Sequence, residues 1–194
     1  MPANGIDVSE YQQGTDITKI SGLDFVIAKA TQGTTITDPT YEEWAGEAEK
    51  AGAQFGAYHF ARAELLNARA QADFFSATAR LRSGLSAWID YETYGASGQA
   101  DAEFLGYFAR EVQYNSGNKR QKIGIYCNKT GLSRIKPWLH EIPYSALWLA
   151  DPSSPMTTQN PGMAWQVHQY EVFEGIDRNY STWSRADWES FWKW

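Results

Sequence analysis

Short apolar runs alternate along the chain with longer segments whose apolar positions recur at helical spacing. Gly5-Ile6-Asp7-Val8-Ser9 and Phe25-Val26-Ile27-Ala28-Lys29-Ala30 read as the first two strands. Asp38-Pro39 then offers an N-cap and a proline at the first helical position, and the helix runs to about Ala51 and stops at Gly52. Gln54–Phe60 is a third strand, followed by a helix carrying Ala68, Ala72, Phe75 and Ala79 on one face, with Gly84 closing the unit. Ser86–Tyr91 is the fourth strand, and Ala102, Leu105, Ala109 and Val112 give the next helix its apolar face. Lys122–Tyr126 is the fifth.

The rhythm then changes. The helix between Thr130 and Leu139 is short and interrupted by Pro137. Strands at Ala146–Ala150 and Ala164–His168 are separated only by a loop rich in Pro, Ser and Thr. A last strand falls near Gly175-Ile176-Asp177, and Ser184 with Asp187 makes a capping box for a terminal helix faced by Trp188, Phe191 and Trp192. Repeated strand–helix units predict a parallel sheet. About eight strands, with helical crossovers early and loops late, predict an α/β fold: an irregular TIM-like barrel, (β/α)5(β)3, of parallel strands with helices outside. A doubly wound open sheet is the competing arrangement, weakened because no Gly-rich phosphate loop follows the first strand.

Composition narrows the function. A length of 194 residues suits one domain, with no linker or low-complexity tract to divide it. A net charge of −6 without a basic cluster argues against nucleic acid and against nonspecific attraction to an anionic surface. Cys127 is the single cysteine, so no intramolecular disulfide is available. His59, His140 and His168 lie on separate segments without metal-ligand spacing, so no metal and no cofactor are expected. No signal-peptide pattern and no stretch of membrane-spanning length is visible. Nine tryptophans suit either a packed core or stacking on sugar rings.

In a parallel barrel the chemistry sits at the C-terminal ends of the strands. Asp7, Asp90, Glu92 and Asp177 all fall there. Residues two apart in a strand face the same side, so Asp90-Tyr91-Glu92 sets two carboxyl groups together with Tyr91 turned away. The run before them, Ala87-Trp88-Ile89, is apolar, and acids buried beside it ionise with difficulty. That is the property a general acid needs near neutral pH. The plainer alternative is a solvated pair of loop acids. Cys127 with a histidine would make a nucleophile only if the two met, and an isolated cysteine is more often a buried hydrophobe. Lys29 suits a salt bridge to a rim carboxylate, and His59 a hydrogen-bonded rim or core position.

Gly5-Ile6-Asp7-Val8-Ser9, Ala28-Lys29-Ala30-Thr31, Gly56-Ala57-Tyr58-His59-Phe60, Ile89-Asp90-Tyr91-Glu92, Leu147-Trp148-Leu149-Ala150, Trp165-Gln166 and Gly175-Ile176-Asp177 follow one another in a familiar order. Together they resemble glycoside hydrolase family 25, the Chalaropsis-type lysozymes and many phage endolysins. The resemblance implies a barrel of five strand–helix units and three further strands. It implies a muramidase that cuts the β-1,4 bond from N-acetylmuramic acid to N-acetylglucosamine in the glycan strands of bacterial peptidoglycan. It assigns Glu92 as general acid, Asp90 as the group assisting the acetamido substituent and the developing positive charge, and Asp7 and Asp177 as the acids that hold the other two. Lys29, Tyr58, Tyr126, Trp148 and Gln166 become substrate-binding residues.

Three departures from the family pattern stand out. Gln32 occupies a position where relatives often carry Glu, Asp151-Pro152 replaces an aromatic position, and the stretch before Asp177 is short. The expected organisation is one catalytic domain over residues 1–194 without a wall-binding module, acting as a monomer on the cell wall without membrane insertion. With no signal peptide visible, the chain suits a phage endolysin released through the host membrane, or one whose leader has been removed. The rivals are a barrel that binds wall glycan without cutting it, and a chitinase-like N-acetylglucosaminidase. The latter is weakened because Leu85, Ala87 and Trp88 stand where further upstream acids would be needed.

Overall fold

The computed structural model describes residues 2–79, 81, 85–117, 121–154, 167–173 and 175–192. Eight strands close into a barrel: β1 (Pro2–Val8), β2 (Phe25–Gln32), β4 (Gln54–Phe60), β5 (Ser86–Asp90), β6 (Ile123–Asn128), β7 (Ala146–Ala150), β8 (Val167–Phe173) and β9 (Ile176–Ser184). The two-residue β3 (Ile36–Thr37) only extends β2 as a hairpin. Helices α1 (Tyr41–Ala51), α2 (Ala68–Ala79), α3 (Gly98–Asn115) and α4 (Lys129–Ile135) follow β3, β4, β5 and β6, and α5 (Arg185–Trp192) follows β9.

Neighbouring strands from β1 through β8 pair in parallel. The last strand departs from the all-parallel expectation. β9 is a nine-residue strand that runs antiparallel to both β8 and β1 and closes the barrel between them. The cause is local: Gly175, with φ 77°, reverses the chain directly after β8, and a reversal this short permits only an antiparallel return. Of the seventh strand expected at 164–168, only Val167 and His168 lie among the described residues, and Gly84 lies outside them.

Caps fix the helix ends. Gly52 adopts φ 68° at the end of α1, as expected of that position. Asp38 does a different job from the one its sequence position suggests. Its carboxylate accepts from Thr40 N and Thr40 Oγ1 and also from Glu10 N, which ties the turn before α1 to the segment after β1. The Ser184 hydroxyl and Asp187 carboxylate cap α5 reciprocally (2.8 and 3.2 Å). α4 ends at Ile135, and Pro137 sits in the 3-10 turn that follows.

Two apolar layers result. Outward-facing residues such as Ala87, Ile89 and Ile125 pack under the helices with Phe75, Leu105 and Phe108. Inside the barrel lie Phe25, Ile27, Trp88, Trp148 and Trp188. Trp188 of α5 stacks on Phe25 with ring centres 4.4 Å apart, and Trp88 meets Trp148 edge-on at 5.5 Å. Two glycines make room for these rings. A Cβ on Gly124 would lie 2.0 Å from Trp88, and one on Gly5 would lie 2.2 Å from Phe25. The interior is thereby closed at the end where β1 begins and left open at the end where Asp7, Asp90 and Asp177 emerge.

Candidate active site

A cleft of about 360 Å³ opens at the C-terminal ends of the strands. Its lining includes Asp7, Asp90, Glu92 and Asp177 together with Lys29, Tyr58, Tyr126 and Trp148. The sequence therefore anticipates eight of the lining residues, drawn from seven strands and one strand-end loop. Gln166 lies outside the described residues. Ser9, Tyr11, Gln12, Gln32 and Phe60 also line the cleft.

Register explains how the acids meet. Asp7 on β1 and Asp177 on β9 are direct cross-strand partners, a like-charge pairing that costs stability. Asp90 ends β5, with Ser86 and Trp88 below it on the same side, and is only 6% exposed. Its Oδ1 finds no hydrogen-bond partner among the described residues. Glu92, one residue beyond Tyr91, stands exposed at the rim.

Tyr91 points outward, and its hydroxyl donates to the buried Asp101 of α3 at 2.6 Å. Asp101 also accepts from Arg134 Nε and Nη2 (3.0 and 2.8 Å) and from Gly95 N (2.5 Å). A charge-assisted network of this kind fixes the loop that carries Glu92.

The electrostatics follow from burial and crowding. Burial, then the charge of Asp177, pushes Asp7 well above the usual carboxylate range, while a hydrogen bond from Asn179 opposes the rise. Burial raises Asp90 similarly, helped by Glu92 and Asp7 and opposed by Lys29. Glu92 is raised by loss of solvent around it in the cleft and by Asp177. Asp177 is raised by burial and drawn back by the Gln169 side chain. Such a cluster holds protons at a pH where free carboxyl groups lose theirs. Burial and the same acids raise Tyr58 and Tyr126, so both remain hydrogen-bond donors.

Lys29 is buried, yet among the described residues it forms no ion pair with a carboxylate. Its Nζ donates to Gln32 Oε1 at 2.9 Å and lies 5.4 Å from the centre of the Phe60 ring. The neutral amide at position 32 leaves the lysine charge to act on Asp90.

Two polar residues that sequence reading missed complete the site. Tyr126 donates to Gln169 Oε1 at 2.8 Å. Asn179 accepts from Trp148 Nε1 at 2.7 Å and donates to Asp7 Oδ2 at 2.6 Å. Asn179 stands two residues past Asp177, so strand periodicity alone was a usable signal.

Other chemistries find no footing here. Cys127 is fully buried, and burial with nearby Asp90 and Glu92 pushes its thiol up to about 12, so thiolate is scarce. His59 is a core residue held by Thr31 Oγ1 (2.7 Å) and Gln71 Oε1 (3.0 Å), and burial lowers its pKa to about 4. His168 is buried against the Asp151 carbonyl, and His140 is exposed beside Glu141. Asp151, the departure noted after β7, is not a lining residue. It is buried and paired with Lys129 at 2.7 Å. No cluster of potential metal ligands occurs among the described residues.

Comparison with known proteins agrees with this geometry. The chain is 36% identical over 96 residues to the autolytic lysozyme of Clostridium acetobutylicum, covering 48% of this chain and 29% of that protein. It is 35% identical over 102 residues to the N,O-diacetylmuramidase of a Chalaropsis species, covering 48% of each. The match thus spans less than half the length of these curated relatives. A muramidase from Trichobolus zukalii superposes with a TM-score of 0.82 at 27% identity, covering 98% of this chain and 99% of that one. The sequence profile of the glycosyl hydrolases family 25 matches residues 6–176, nearly the whole barrel, and the chain belongs to that family.

Proposed function

We propose that this chain is a muramidase that hydrolyses the β-1,4 bond between N-acetylmuramic acid and N-acetylglucosamine in bacterial peptidoglycan. The observation that carries the reading is the gathering of Asp7, Asp90, Glu92 and Asp177 in one cleft. Glycosidic cleavage passes through an oxocarbenium-like state, which carboxylates stabilise and a protonated carboxyl group helps to reach. The relatives' own names, autolytic lysozyme, N,O-diacetylmuramidase and muramidase, support the substrate class.

Each group has a task in this reading. Glu92 gives its proton to the glycosidic oxygen as the bond to C1 breaks. The substrate's acetamido oxygen attacks C1 from the other side, with Asp90 orienting the acetamido N–H. Water then adds at C1 as the bond from C1 to the acetamido oxygen breaks, and a proton returns to Glu92. Asp7 and Asp177 hold the other two acids and shape their pKa values, and the charge of Asp177 favours a protonated Glu92. Tyr58, Tyr126 and the exposed Tyr11 offer hydroxyl and ring contacts to sugar. Gln166 remains a candidate for polar support. The unit proposed is one catalytic domain over residues 1–194, working as a monomer on glycan strands of the cell wall, with no nucleic acid and no cofactor in the reaction. Among the described residues no helix is long and apolar enough to cross a membrane.

Reducing-end release from purified peptidoglycan, with mass spectrometry of the fragments, tests the proposal. Wild type should yield N-acetylmuramic acid reducing ends. Glu92→Gln should lose about 10²–10⁴-fold in rate while keeping its folded circular dichroism spectrum. No release from several wall types, or a fully active variant, would overturn it.

A further inference from the structure

We infer that Trp148 and Asn179 form a two-residue positioning relay that aims an amide N–H at Asp7 and favours its ionisation against the crowding of the other acids. This deepens the proposed reading and rests on it for its catalytic meaning, although the relay itself is a statement about hydrogen bonds.

The argument begins with an indole. Trp148 is 2% exposed at the base of the cleft, and its N–H can only donate. The hydrogen bond of 2.7 Å therefore requires an oxygen of Asn179 at that place. An amide has one oxygen and one nitrogen, so the NH₂ group is forced to the other side. There it donates to Asp7 Oδ2 at 2.6 Å. Asn179 is itself 1% exposed, which leaves water little opportunity to substitute for either partner. The orientation of a buried amide is thus dictated by a group that cannot reverse its role, and the N–H it turns to Asp7 makes a stronger bond to the ionised carboxylate than to the protonated acid.

Asp90 makes an instructive contrast. It comes from the same cleft, yet its buried Oδ1 has no donor among the described residues. The half-buried Asp7 thus has a dedicated donor, and the buried Asp90 oxygen has none among the described residues.

Several groups face Asp7. Asp177 stands opposite it on β9, Glu92 and Asp90 approach from β5 and its loop, and Tyr58 and Tyr126 approach from β4 and β6. Lys29 acts on the cluster through Asp90. The acids all resist ionisation of Asp7, so the amide N–H is the group that opposes them. An anionic Asp7 in turn makes ionisation of Asp90 harder and keeps a proton within the cluster. Trp148 accordingly serves the acids from below rather than the sugar from the side.

Carbon-detected NMR titration of the Asp7 side-chain carboxyl, run on the intact chain without substrate, tests this directly. Asn179→Leu keeps a similar volume and removes the donor without adding a charge. Trp148→Phe removes the indole N–H and frees the amide to turn. Each variant should move the Asp7 titration upward by about one pH unit. Adding Trp148→Phe to Asn179→Leu should move it no further, because the relay is already cut. The acid limb of the peptidoglycan-cleavage profile should shift the same way, with KM little changed.

An Asp7 titration unchanged in Trp148→Phe, or shifts that simply add in the double variant, would overturn the relay. Should Asn179→Leu fail to fold, Trp148→Phe still decides the matter. A relay seen by NMR in a chain that releases no reducing ends would sink the muramidase reading and leave the relay standing.

Discussion

The two mouths of the barrel are built from the same strands, two to four residues apart, and they are made to opposite standards. At the closed mouth Phe25, Trp88 and Trp188 interlock, and Gly5 and Gly124 give up their side chains so that the rings fit. At the open mouth Lys29, Asp7 and Asp90, further along the same strands, crowd charge into a space with too few partners. One end gains stability from burial, and the other gives some of it up. The contrast teaches where selection for chemistry acted: a cross-strand Asp7–Asp177 pair and an orphaned Asp90 oxygen make poor packing but a good proton reservoir.

That comparison can be broken most severely from below. Trp188→Ala should cost about 3–5 kcal/mol by denaturant unfolding and leave the pH dependence of cleavage in surviving folded protein unchanged. If the pH profile moves as well, the two mouths are not independent. Gly124→Ala sets a methyl group against the Trp88 ring and should cost about 1–3 kcal/mol, also without altering the profile.

The open mouth should behave the other way. Asp7→Asn removes the like-charge opposition to Asp177 and should raise stability by about 1 kcal/mol while cleavage falls, a combination read from paired melting and rate measurements.

Acidity supplies a gentler probe. Carboxyl groups whose folded pKa is raised bind more protons folded than unfolded, so their contribution is full at low pH and is lost as pH rises through the folded values. The melting temperature should therefore rise between about pH 7 and about pH 5, and Asp90→Asn should flatten that slope. Asp151 works in the opposite sense. Hydrogen bonds from Lys129, Ser153 and Ser154 outweigh its burial and hold it low, so its contribution is lost only at more acidic pH. The smallest effect is expected from Gln32→Glu. It gives Lys29 an ion-pair partner and weakens its pull on Asp90, which should shift the cleavage profile slightly to higher pH without changing stability measurably.

Much of this was legible in the chain. The alternation of apolar strands with amphipathic helices identified the first five strands, because each strand is buried on both faces and each crossover helix has its own stripe. The acids were legible because strand-end position and period two are local properties. The direction of β9 was not, since a short segment reads alike in either direction and only the turn at Gly175 decides. Nor were the partners of Lys29 and Asp38. Lys29 meets Gln32 rather than an acid, and Asp38 reaches back to Glu10. Side-chain partners of that kind depend on how neighbouring strands and turns are placed, which no window of sequence contains. Gln169 and Asn179 fell between the two cases. Their faces could be counted, but that their amides would be oriented by Tyr126 and Trp148 required the closed barrel.

The antiparallel closing strand also settles how the molecule can be held. Because β9 runs back along β1, Pro2 pairs with Ser184, so the first and last strands meet side by side at the plugged mouth with α5 beneath them. A tether, surface support or fused partner attached through either strand at that end would grip the barrel by its base and leave the cleft facing outward. On the proposed reading, a polymer as large and immobile as a wall could then be worked over its surface by a domain that swings on its attachment without turning its cleft away.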